Sequence, residues 1–97
     1  MNKSRRKELY DVVNKLLALK RTNNNDVVEM DLESIKNDLS MILYEEESYM
    51  DNIPENMQGG YRYQMAEDAC DNIECAIDAL DDEDIDEAIN YIYGATV

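Results

Sequence analysis

Apolar residues recurring every three or four positions are the feature that most limits the folds open to this chain. Leu9, Val12, Val13, Leu16 and Leu17 fall at i, i+3, i+4, i+7 and i+8, the spacing that lines one face of an α-helix. Ser4 stands where a helix cap is wanted, and the segment is expected to end near Arg21, where "TNNN" breaks the pattern. In a second segment Asp26 and Glu29 resemble a capping arrangement. Val28, Leu32, Ile35, Leu39, Ile42 and Tyr49 then follow on alternating steps of four and three, with Glu46 taking one step. Such a seam suits a neighbouring helix, in the same chain or in a second copy.

"NIPENMQGG" stops the second helix, because Pro54 cannot continue it and Gly59-Gly60 makes a flexible corner. A third helix is expected from about Tyr61, with Met65, Ala69, Ile73, Ala76, Ile77 and Leu80 as its inner stripe. Ile85, Ala88, Ile89 and Ile92 form another stripe, rotated by roughly 120° if one straight helix ran through both. That rotation predicts a break near residues 81–83 and a short fourth helix with Asp84 and Glu87 as a capping box. A bent continuous helix is the alternative. With no strand-like alternation, the expected fold is all-α. It is a small helical bundle of three longer helices and one short C-terminal helix, spanning residues 1–97 as a single acidic helical domain.

Charge divides the chain. The first 22 residues hold seven bases against two acids, and the other 75 hold two bases against 21 acids, for a net charge of -14. A chain this negative repels nucleic acid and anionic membrane, so its natural long-range partner is a basic surface. No apolar run approaches a membrane span, and no signal-peptide core follows the basic N-terminus, so a cytoplasmic setting is expected.

"DDEDIDEA", residues 81–88, places six carboxylates in eight positions. As a calcium loop begun at Asp82 it offers Asp82, Asp84 and Asp86 at positions 1, 3 and 5. It then puts Glu87 where the turn glycine belongs and Tyr93 where the bidentate glutamate belongs. The chain has no histidine, which removes the usual general base, the common nucleophile pairs and the Glu-x-x-His di-metal pattern. No phosphate-cradling glycine loop is present. Cys70 and Cys75 point about 140° apart on a helix, so they neither pair nor share a metal. No enzyme activity, metal or cofactor is expected.

The acids are arranged in register. Glu67, Asp71, Glu74 and Asp78 recur at i, i+4, i+7 and i+11 opposite the apolar stripe, and Asp68, Asp81, Asp82, Glu83, Asp84 and Asp86 widen the row. Carboxylates one turn apart lie about 5–6 Å from each other, comparable to successive phosphates of a nucleic-acid strand. An ordinary solvated face is the plain alternative, but here no lysines are interspersed to relieve the repulsion. Glu67, Asp71, Glu74, Asp78, Asp82 and Asp84 are the candidate partner-binding residues. Seven tyrosines with no Phe or Trp either rim a small core or form a contact surface.

"NIPENMQGGYRYQMAEDACDNIECAIDAL", residues 52–80, resembles a segment of small uncharacterised acidic helical proteins of phages and mobile elements of low-GC Gram-positive bacteria. The resemblance implies a setting in which such proteins act against host defence, as anti-CRISPR proteins do. The function expected is an acidic interaction protein that covers a basic, nucleic-acid-binding surface of a host protein in the host cytoplasm and inhibits it. The alternative is a self-associating scaffold, with the basic first helix of one copy docked on the acidic half of another.

Overall fold

A computed structural model describes residues 2–21 and 25–96, the side chains of residues 25–30 excepted. The described residues are all-helical, in four α-helices: α1 Lys3–Lys20, α2 Asn25–Asp51, α3 Tyr61–Asp81 and α4 Ile85–Ala95. A single 3-10 turn, Glu55–Met57, sits in the corner between α2 and α3. The side chains of the Asp26–Glu29 capping arrangement and of Val28 in the seam, and residues 22–24 of "TNNN", lie outside what is described.

Each helix runs antiparallel to the next, and α1 closes the ring on α4. Arg5 meets Glu46 and Lys15 meets Asp38 between α1 and α2. Lys36 meets Asp81 between α2 and α3, while Arg6 reaches Thr96, just past the end of α4. The extensive packing is between ring neighbours, so α1 and α3 stand diagonally across the bundle. The molecule is long and narrow, 51 × 21 × 18 Å, as the 27-residue α2 demands at 1.5 Å rise per residue.

The apolar stripes meet along the axis. Leu9, Leu16, Leu39, Ile73, Leu80 and Ile92 are fully buried, each such side chain worth about 1.5–3 kcal/mol of burial. The α2 seam is filled inside one chain at Leu32, Ile35, Leu39 and Ile42, so that stretch needs no second copy, whereas Tyr49 at its end is 36 % exposed.

Two local expectations differ. The cap of α1 is Asn2, whose side-chain oxygen accepts the Arg5 N–H at 2.8 Å, while Ser4 is already inside the first turn. Leu17 is 38 % exposed and Leu19 is buried in its place. Leu19 continues the Leu9, Val12 and Leu16 series by three- and four-residue steps and joins the core, while Leu17 falls at the margin of that stripe.

The break between the last two helices follows from the rotated stripe, and its geometry is specific. The Glu83 N–H bonds to the Leu80 carbonyl and the Asp84 N–H to the Ala79 carbonyl, the pair of bonds that closes a Schellman motif. Glu83 therefore takes φ 61°, a left-handed position that favours glycine. Asp84 then caps α4 by accepting the Glu87 N–H at 3.1 Å. Replacing Glu83 with glycine is expected to stabilise the fold by about 1 kcal/mol, or about 5 °C in melting temperature for a domain this small. Glu83→Gln, which keeps the Cβ and removes only the charge, separates the backbone effect from relief of repulsion. A melt of Glu83→Gly no higher than that of Glu83→Gln would refute the strain argument.

The candidate acidic binding face

α3 presents its apolar residues to α2 and α4, and the same helical period puts the acids on the far side. Glu67, Asp71, Glu74 and Asp78 are all exposed on one face, spread over about 16 Å of helix. Asp82 lies just past the helix end and Asp84 at the start of α4, both exposed. The six candidate residues thus divide by surroundings. Four make the row proper, Asp82 extends it, and Asp84 spends one carboxylate oxygen on its cap.

The bases go elsewhere. Arg5 holds Glu46, Lys15 holds Asp38 at 3.0 Å, Lys20 holds Asp86, and Lys36 bridges Asp81 at 2.9 Å and Glu33 at 3.2 Å. Arg6 donates to the Thr96 carbonyl at 3.1 Å. Among the described residues, Glu67, Asp71, Glu74, Asp78 and Asp82 take part in no ion pair. The reason is topological: α1 carries most of the bases and stands diagonally opposite α3.

The Lys36 ammonium is held above its usual pKa by the Asp81 hydrogen bond and then by Glu33. Tyr91 donates to Glu87 at 3.3 Å, and the Glu87 charge keeps its phenol protonated to higher pH. Among the described residues no three acidic or cysteine side chains converge as metal ligands. Asp78, Asp82, Asp84 and Glu87 do line one shallow cleft between the end of α3 and the start of α4.

Cys70 is buried and Cys75 half-buried. Burial, then the charges of Glu46 and Glu47, pushes the Cys70 thiol up to about 12. The unfolded chain ionises this thiol near 9, so above that pH it binds fewer protons than the native state. Stability linked to Cys70 is therefore lost as pH rises from about 9 towards 12. At neutral pH, iodoacetamide is expected to label Cys75 and to label Cys70 about a hundredfold more slowly. Equal labelling under native conditions would contradict this burial.

Glu46 occupies an apolar step of the α2 seam, and its side chain is 0 % exposed. The Arg5 Nε donates to it at 2.6 Å, and the Arg5 guanidinium also lies 5.5 Å above the Tyr49 ring. An acid on an apolar step of a helix is legible in the sequence, whereas its partner, 41 residues away, is not.

In comparisons with known proteins, no family model, no curated protein and no solved structure matches this chain.

Proposed function

We propose that this protein is an interaction module whose α3–α4 carboxylate face covers the basic, nucleic-acid-binding surface of a host protein and inhibits it. The observation that supports this reading most is the exposed, unpaired row Glu67, Asp71, Glu74, Asp78 and Asp82, left without cations although α1 is rich in them. Like charges held in register cost stability, and a basic groove relieves that cost while releasing its own counterions. The resemblance of residues 52–80 supplies the setting: a phage or mobile element acting in the host cytoplasm. Three longer helices and a short fourth serve as a scaffold that keeps the row straight. The scaffold reading has no comparable support, because the α2 seam is filled within one chain from Leu32 to Ile42 and Lys20 meets Asp86 within it.

The experiment is a pull-down from a Gram-positive lysate, eluted over a salt gradient. The bait is compared with two variants of equal charge. One is Glu67→Gln/Asp71→Asn/Glu74→Gln/Asp78→Asn; the other is Glu45→Gln/Glu47→Gln/Asp51→Asn/Glu55→Gln. Expected is a nucleic-acid-handling protein that elutes with salt, competes with duplex DNA, and is lost only with the first variant. Retention of no such protein, or capture that salt leaves unchanged, would overturn the reading.

A further inference from the structure

Away from the acidic row, where α2 turns into α3, a cleft of about 790 Å³ is lined by Tyr49, Ile53, Pro54, Met57, Tyr61 and Arg62. That volume lies in the range of sites that seat a ligand or a cluster of partner side chains. Its charge sets it apart. Four other clefts are each lined by at least one carboxylate: Asp38, Asp31, Asp68 and Asp78 are examples, one from each. In a chain with 23 acids, this cleft has none, and its one ionised lining group is Arg62.

The lining is apolar and open to a partner. Tyr61 is 78 % exposed and Met57 is 52 % exposed, a large apolar area left in water. Tyr, Met and Arg are the types enriched where proteins meet, and Met adapts its shape to what it touches. Asn52 and Asn56 add amides able to bond an extended backbone.

The corner is also built in advance. The Met57 N–H bonds to the Pro54 carbonyl at 2.8 Å and the Gly60 N–H to the Met57 carbonyl at 3.1 Å. The Gln58 side chain ties back to the Ile53 carbonyl. A Cβ on Gly60 would come within 3.2 Å of the Met57 carbonyl oxygen, so the glycine lets the turn close this tightly. A preformed site loses little ordering entropy when it binds.

We propose that this cleft is a docking site for an acidic polypeptide segment. The segment seats an apolar side chain against Tyr49, Pro54, Met57 and Tyr61 and sets a neighbouring carboxylate on Arg62. Charge decides the class of occupant. A basic segment meets an uncompensated guanidinium here and finds better partners on α3. A nucleic acid brings an extended polyanion into the field of a -14 chain. A short segment with one or two carboxylates beside an apolar anchor matches the cleft, escapes the first penalty and incurs far less of the second.

The probe is a displayed library of random dodecapeptides, panned on the full chain at about 150 mM salt to mute the acidic face. Expected is enrichment of sequences with an aromatic residue or Leu next to Asp or Glu. A fluorescent copy of the strongest should bind saturably, and about tenfold more weakly to Met57→Asp and to Arg62→Glu. The Glu67→Gln/Asp71→Asn/Glu74→Gln/Asp78→Asn variant should bind it as the parent does, so failure of the acidic-face reading leaves this one standing. Met57 and Arg62 are exposed, and unchanged thermal melts confirm that the variants fold. Enrichment of basic sequences, no enrichment, or binding indifferent to Arg62→Glu would overturn the proposal. So would self-association that Met57→Asp abolishes, which assigns the cleft to a second copy.

Discussion

Replacing Arg5 with methionine is expected to lower the melting temperature by about 10–20 °C, the largest effect of any single change outside the apolar core. The Arg5 Nε lies 2.6 Å from the Glu46 Oε2, and the two side chains are 12 % and 0 % exposed. Removing one partner of a buried pair leaves the other charge in an apolar site, at a cost of about 3–5 kcal/mol. Arg5 is not the only group that Glu46 engages, so the loss should sit near or just below the low end, about 2–3 kcal/mol. The two ends of the pair are not equivalent. Arg5, near the start of α1, can swing its long side chain to water, whereas Glu46 in the α2 seam has no such route. Glu46→Leu, which completes the apolar seam, should therefore cost less than Arg5→Met. The double variant should recover most of the loss, because it removes both charges from the interior. Thermal melts of the three variants close the cycle. An Arg5→Met protein that melts within about 2 °C of the parent would show that the pair contributes nothing net to stability.

Sodium chloride is expected to raise the melting temperature, by about 5 °C between low salt and 0.3 M. Between Gln64 and Val97 there are 11 acids and no base, and the α3 row has no cation beside it. At 0.1 M salt, screening acts over about 10 Å, a length that spans two turns of the row. The opposing effect is small. Lys15–Asp38, Lys20–Asp86 and Lys36–Asp81 are exposed or half-exposed pairs, and such pairs contribute at most about 1 kcal/mol each. A melting temperature that falls with salt would mean that attraction outweighs repulsion across the surface. The acidic face would then lose its standing as a surface awaiting a basic partner.

How far the sequence reads through to structure depends on the reach of each interaction. Helix existence and the α3–α4 break were legible because both rest on residues three to five positions apart. The rotated Ile85–Ile92 stripe predicted the break, and Asp84 marked the cap. Leu17, placed on the buried face by its spacing, is 38 % exposed, because it lies at the margin of the α1 stripe and spacing within one helix does not say which margin its neighbours cover. Ser4 yielded to Asn2 because either side chain can cap, and the choice depends on where the first turn begins. The acidic row could be drawn on paper from a helical period. Its lack of internal cations could not, since that depends on which helix stands across the bundle from α3.

The sequence by itself determined the helices, their inner faces and the alignment of carboxylates on α3, since all of these follow from a 3.6-residue period acting within one segment. Only the tertiary structure decided where the nine bases would go. Packing α1 between α2 and α4 sends Arg5 to Glu46, 41 residues away, and Lys20 to Asp86, 66 residues away. The same diagonal placement keeps α1 from reaching the α3 row. Short-range Coulomb attraction acts on whatever the packed backbone brings within a few ångströms, and that distance is set by apolar burial, not by the charges themselves.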